Sequence, residues 1–577
     1  MSEERVRLSI NDRPVEVRRG ATLLEAAREV GVKVPTLCSL EGLSPTGACR
    51  ICVVEAGGDG RLVPACAFPA EEGLSVQTNT PAVRQARKTI IELLLANHKQ
   101  DCLYCPKNLA CELQALAAEY GVREKRFSGK VRAYHMDLSS PAVERDPEKC
   151  ILCGRCVRVC EEIQNVGAID FTGRGFETMV LPAFNRDLNV APCVFCGQCV
   201  LECPTGALRE KDHLKPVFDA LNDPRKYVVV QVAPAIRVSL GEEFGLPAGA
   251  VVTGKIPAAL HRLGFKRVFD TNLAADLTIL EEATELVDRV RTGKPLPMLT
   301  SCSPGWVKYV EHFHPSLLPH VSTCKSPQMM MGAMIKTYFA QKEGIAPEDL
   351  YVVSVMPCTA KKFEARRPEM GAHAHPDVDA VLTTREFARM IRIAGIDFHR
   401  LEDEPFDDPL GIASGAGDIF GSSGGVMEAA LRTAHYLLTG EEAASTDVTA
   451  VRGLDGVKTA EVPVGGLTLK VAAVSGLKNA AALLDRIKSG EATDYHFIEV
   501  MCCPGGCIDG GGQPLPRNRE VLEARMKAVY AIDRGKALRR SHENPGVKAL
   551  YDEYLGEPNS HRAHELLHTR YTERDQY

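Results

Sequence analysis

Short alternations of apolar and polar residues open the chain. VRLSIND (6–12) and RPVEVRRG (13–20) predict two strands, and ATLLEAAREVG (21–31) predicts a helix closed by Gly31. Helical periodicity returns in TIIELLLANHKQ (89–100), which leads into a cysteine loop, and a tandem cysteine repeat occupies 140–215. From about residue 225 the pattern changes. KYVVVQVAP (226–234) and LYVVSVMP (350–357) are unbroken apolar, β-rich runs separated by amphipathic helical segments, the pattern of an α/β domain. The tail beyond Pro514 is charged and predicts helices wrapped around that domain. The expected fold is multi-domain α+β and α/β, with segments 1–80, 81–125, 140–215, 225–513 and 514–577.

Composition narrows the picture. At 577 residues the chain is too long for one ordinary core. Its hydrophobic content of 45% and charged content of 25% are those of soluble globular proteins. A formal net charge of −6 argues against a nucleic-acid surface as the main function. The charged opening MSEERVRLSI reads as no signal peptide, and no apolar run is long enough for a membrane span, so a cytoplasmic location is expected. In a reducing compartment, 21 cysteines in short spacings point to metal rather than to disulfides.

Each spacing describes a site. Cys38, Cys49, Cys52 and Cys66 follow C-x10-C-x2-C-x13-C in the small β-rich segment, which suits a [2Fe–2S] centre; a four-cysteine zinc site is the competing reading. His98, Cys102, Cys105 and Cys111 follow H-x3-C-x2-C-x5-C at a helix end, a [4Fe–4S] pattern in which one imidazole replaces a thiolate. Both patterns resemble the N-terminal domains of the large peripheral subunit of respiratory complex I. Cys150, Cys153, Cys156 and Cys160 give C-x2-C-x2-C-x3-C, and Cys193, Cys196, Cys199 and Cys203 repeat it before Pro204. In such two-cluster runs the fourth cysteine ligates the other cluster. Cys150, Cys153, Cys156 and Cys203 are therefore expected to hold one cubane, and Cys193, Cys196, Cys199 and Cys160 the second. Four centres in one chain form an electron wire, which needs a terminus.

Three segments supply it: TSCSPGW (300–306) with the sole tryptophan, MPCTAKKFE (356–364), and EVMCCPGGCIDGGGQ (499–513). In the last, glycines around Cys503 and Cys507 allow backbone to crowd against a bulky inorganic group. On these residues the chain resembles [FeFe]-hydrogenase catalytic subunits of the long type, over nearly its whole length. SHENP (541–545) and AHELLHTRY (563–571) resemble that family's small-subunit region. The resemblance implies a β-grasp [2Fe–2S] domain, a two-cluster ferredoxin domain and an H-cluster, a [4Fe–4S] cubane joined to a di-iron unit with CO, CN and azadithiolate. It also implies ligation of that cubane by Cys358 and Cys503, a bridge through Cys507, a cyanide contact from Lys361, and packing by Met356 and Met501. One departure matters. The family's first motif has adjacent cysteines, the first relaying protons and the second ligating. Here Cys302 matches the relay and Ser303 falls at the ligand position, so the fourth ligand stays open between Ser303, a shifted Cys302 and Cys324. Apart from that option, Cys324 and Cys502 read as small packing residues.

Chemistry at a buried metal needs a proton path. The resemblance implies Cys302, Glu282, Ser322, Glu285 and Arg289 in that order, and EEATELVDR (281–289) read as a helix places Glu282, Glu285 and Arg289 on one face. The expected activity is reversible reduction of protons to H₂. A non-enzymatic iron–sulfur electron-transfer or assembly protein, or an H₂ sensor, is the alternative. The complex I-like half implies ferredoxin, or flavin- and NAD(P)H-binding partner subunits, in an arrangement that includes electron bifurcation. No Gly-x-Gly-x-x-Gly after a strand suggests a nicotinamide site in this chain.

Overall fold

The computed structural model describes residues 4–124, 126–131, 133–371, 375–464 and 466–575. It divides into two compact units: 1–162, 167–191 and 202–209 in the first, and 163–166, 192–201 and 210–577 in the second. The 140–215 cysteine repeat is shared between them.

The smaller unit opens on the two expected strands, Arg5–Ile10 and Arg13–Arg18, paired antiparallel in a five-stranded sheet. Helix Leu23–Glu29 packs on it. Thr22 and Glu25 cap its start reciprocally, and Gly31 follows its end at φ +71°. Helix Pro81–Ala96 starts from the cap Thr80, and His98 stands just past its end.

The larger unit contains two sheets. In the first, Arg267–Asp270, Tyr227–Val232, Leu350–Met356 and Ala380–Thr383 lie side by side, all parallel. Val229, Val230, Val232, Val352, Val353 and Val355 are fully buried, as expected for strands covered on both faces. In the second sheet, Met298–Leu299, Phe497–Met501 and Leu467–Ser475 run parallel and Val457–Val464 closes the edge antiparallel. Helix Thr271–Thr292 is capped by Asp270, whose carboxylate accepts from Asn272 N and pairs with Arg237 at 2.8 Å, and it ends at Gly293.

The tail adds helices Arg519–Gly535, Pro545–Leu550 and His561–Leu567. Residues 541–568 dock on the long helix through its buried carboxylates. Ser541 and Asn544 both donate to Asp276, at 2.7 Å each. Tyr551 Oη and Asn559 N donate to Glu281, and His568 Nε2 lies 3.0 Å from it.

Candidate active site and metal centres

In the smaller unit, the sulfurs of Cys49, Cys38, Cys66 and Cys52 form a hydrogen-bonded chain, and all four residues are buried. Four soft donors brought together by one small β-domain fit an iron–sulfur group. His98 carries a buried Nδ1 with no partner among the described residues, and burial holds its ring below the usual imidazole range, as a neutral ligand requires. Cys105 belongs to the same neighbourhood as Cys102 and Cys111, and a Cβ on Gly206 would come 2.5 Å from its sulfur. Cys150, Cys153, Cys156 and Cys203 line one cavity, floored by Pro147, Ile169 and Val180. Cys193, Cys196 and Cys199 lie in the larger unit and Cys160 in the smaller.

The larger unit holds an apolar-walled cavity. It is built where three parallel strands end. Met298–Leu299 runs into Cys302 and Ser303, Leu350–Met356 into Cys358 and Lys361, and Phe497–Met501 into Cys502, Cys503 and Cys507. Sites outside the carboxyl ends of parallel strands are a general property of such sheets. Met356, Met501, Phe420, Pro234 and Ala275 make the remaining wall largely apolar. Burial pushes the Cys507 thiol up to about 12, and raises Cys358 and Cys302 as well. Such a set of buried sulfurs, with the ammonium of Lys361 on the rim, fits a cationic iron group bearing anionic ligands.

Lys361 Nζ donates to Glu364 Oε2 at 2.8 Å and to the Cys302 carbonyl at 3.2 Å. Glu364 is itself fixed by Ser326 Oγ at 2.9 Å and Gln328 Nε2 at 3.2 Å. The next residue, Lys362, turns away and forms a fully buried pair with Glu386 at 2.8 Å, which anchors the loop. The glycines of the third motif let segments of chain approach each other. A Cβ on Gly510 would meet the Pro357 carbonyl at 2.2 Å, one on Gly511 the Cys196 carbonyl at 2.3 Å, and one on Gly512 Thr383 Cβ at 2.7 Å. Gly506, at φ +79°, comes equally close to Ser423 N.

Glu282 is buried, and neither of its oxygens has a partner among the described residues. Burial, reinforced by the charge of Glu285, pushes its carboxyl up to about 8, and the nearby Ser322 hydroxyl offsets only part of this. Ser322 Oγ donates to Glu285 Oε2 at 3.0 Å, and Glu285 Oε1 accepts from Arg289 Nη2 at 2.6 Å. Arg289 also donates to the carbonyls of His320 and Val321. The Glu282 charge acts on the Cys302 thiol and helps to raise it. Cys324 lies with Glu285 and His568; their ligand atoms are within 4.8 Å of one another.

Sequence reasoning missed several neighbours. Thr323 donates to Glu285 from its backbone at 3.2 Å and lies 2.8 Å from His568 Nδ1. Glu364 carried a signal, its place three residues after Lys361. His568 carried none, because it arrives from a tail far away in sequence.

Residues 226–511 match the C-terminal domain of the iron-only hydrogenase large subunit, and 519–574 match the iron hydrogenase small subunit. Residues 3–81 match a 2Fe-2S cluster-binding domain, 87–126 the NADH-ubiquinone oxidoreductase-G iron-sulfur binding region, and 149–207 a 4Fe-4S dicluster domain. The chain is 49% identical to the NADP-reducing hydrogenase subunit HndD of Solidesulfovibrio fructosivorans, over 98% of this chain and 99% of that one. It is 42% identical to iron hydrogenase 1 of Clostridium pasteurianum, over 95% and 97% respectively. Among solved structures, a variant of the [FeFe]-hydrogenase HydA1 from Chlamydomonas reinhardtii matches with a TM-score of 0.58 and 43% identity, covering 63% of this chain and all of that one.

Proposed function

The chain belongs to the iron-only hydrogenase family as an iron–sulfur hydrogenase catalytic subunit, and from that premise we propose how its residues divide the work. The carrying observation is the convergence of Cys302, Cys358, Cys503, Cys507 and Lys361 on one apolar cavity at three strand ends. In this reading Cys358, Cys503 and Cys507 would hold the cubane and di-iron parts of the active-site group. A bound H-cluster supplies the centre at which two protons and two electrons combine to H₂. Lys361, aimed and charge-balanced by Glu364, would hold the cyanide side of that group by a charge-assisted hydrogen bond rather than a covalent tie. Met356, Met501 and Phe420 exclude water from the wall.

Protons enter at Arg289 and Glu285, pass to Ser322 Oγ and then to Glu282, and reach Cys302 Sγ. Glu282 suits the central position because its carboxyl is held in the acid form near neutrality and the Ser322 hydroxyl stands beside it. The cysteines and the histidine named above would hold one [2Fe–2S] and three accessory [4Fe–4S] centres, which would supply the electrons. The likeness to an NADP-reducing hydrogenase subunit supports coupling to NAD(P)H, with or without ferredoxin, through separate flavin- and nucleotide-binding subunits and in an electron-bifurcating arrangement. No helix among the described residues is long and apolar enough to cross a membrane, which is compatible with the cytoplasmic location we propose. The test is direct. Matured protein given reduced viologen should evolve H₂ and show infrared bands of bound CO and CN⁻; absence of both would leave an electron-transfer, assembly or sensing role.

A further inference from the structure

We propose that Cys502 is the fourth thiolate of the active-site cubane, taking the role that the serine at 303 leaves open. The inference rests on the reading of the cavity given above. A [4Fe–4S] group in a protein is ordinarily held by four thiolates, and Cys358, Cys503 and Cys507 account for three. Serine oxygen is a harder donor and a poorer partner for cluster iron than sulfur. The fourth sulfur must therefore come from elsewhere in the cavity wall.

Three cysteines compete. Cys324 sits beside Glu285 and His568, and its carbonyl accepts from Ser301 Oγ at 2.6 Å. Cys302 lies in the cavity wall but feels the Glu282 charge, and its carbonyl is engaged by Lys361. Cys502 also lies in the wall, is only 5% exposed, and its sulfur is hydrogen-bonded to that of Cys503, one of the cubane ligands. A second contact runs to the Cys196 sulfur, which places Cys502 toward the accessory cubane as well.

Two further observations choose Cys502. Its backbone N–H donates to Ser303 Oγ at 3.2 Å, so the hydroxyl at 303 positions residue 502. Its sulfur also rests on the first turn of helix Pro304–Phe313, where a Cβ on Gly305 would lie 2.8 Å from Sγ. The thiol thus occupies space at the start of the helix that Ser303 precedes, beside amide N–H groups that favour an anion. One donor has moved from the first loop to the third, and the sulfur still arrives at the same corner of the cavity.

The experiment uses the full-length chain produced without the maturation machinery, with its iron–sulfur groups reconstituted chemically. Iron and acid-labile sulfide per chain, and the electron paramagnetic resonance of reduced and oxidised protein, are compared for the wild type, C502A, S303A, C196A and S303C/C502A. Expected is a loss of about one to four irons per chain in C502A, with a three-iron signal or a missing cubane signal. S303A should keep its iron, and S303C/C502A should recover the wild-type content and spectrum. Full iron and an unchanged spectrum in C502A would overturn the assignment. So would a loss in S303A as large as that in C502A, a C502A spectrum identical to that of C196A, or a double variant that fails to recover. None of these readouts depends on the di-iron unit, so the assignment and the hydrogenase reading can fail separately.

Discussion

The ammonium of Lys361, in the cavity wall, meets the carboxylate of Glu364 at 2.8 Å, with side-chain exposures of 11% and 3%. Removing one partner of a buried pair leaves the other charge uncompensated, which costs about 3–5 kcal/mol. Glu364→Gln should therefore lower unfolding free energy in denaturant by that order. It should also weaken retention of the di-iron unit, read as loss of CO and CN⁻ infrared intensity per chain. Unchanged infrared intensity would leave Lys361 with no need of this partner.

Glu282 gives a pH prediction with a definite sign. Its carboxyl titrates near 4.5 in the unfolded chain and at about 8 in the folded one. Between those values the folded state binds the extra proton, so this group's contribution to stability is greatest in acid and falls as pH rises. Against Glu282→Gln, which cannot titrate, wild-type stability should decline across that window, by at most about 1.4 kcal/mol per pH unit. Denaturant midpoints of the two proteins between pH 5 and 8 check this. Turnover of Glu282→Gln should be nearly abolished with cluster content intact.

Ser322 links the two glutamates, donating to Glu285 at 3.0 Å. Ser322→Ala removes the hydroxyl and leaves the ion pair between Glu285 and Arg289 standing. H₂ turnover should fall by about 10²–10⁴-fold, the range for a lost proton-transfer group, while infrared and iron measurements stay at wild-type values. A drop below tenfold would mean that protons travel by another route.

Gly510 tests how tightly the second and third loops are joined. A methyl group there would lie 2.2 Å from the Pro357 carbonyl, so the loops carrying Cys358 and Cys507 would have to separate. Gly510→Ala should cost about 1–3 kcal/mol and lower active-site iron. At Gly535, where no atom stands within 4 Å, the same change should stay within about 0.5 kcal/mol. Calorimetry and iron analysis of the two variants make the comparison.

Where chemistry follows local spacing, the sequence was a good guide. The strands Tyr227–Val232 and Leu350–Met356 were legible because parallel strands buried on both faces read as unbroken apolar runs. Helical periodicity placed Glu282, Glu285 and Arg289 in one series, because the relation is carried by a single helix. What escaped was long-range. His568 reaches Glu281 and Glu285 from the tail, and no local pattern announces it. Cys502 looked like packing because its place beside Ser303 depends on two loops about 200 residues apart folding onto one corner. The close approaches at Gly510 and Gly511 also belong to tertiary structure, so spacing alone could not say what the glycines face.

The tail's hold on Glu281 has a consequence for assembly. Tyr551, Asn559 and His568 close over that carboxylate from the segment that matches the iron hydrogenase small subunit, which in this chain is covalently attached. A tethered segment meets its docking face at an effective concentration of order millimolar, whatever the amount of protein in solution. Diluting this enzyme should therefore leave the clamp over Glu281 closed, whereas an untethered version of the same piece would drift off once the sample became thin.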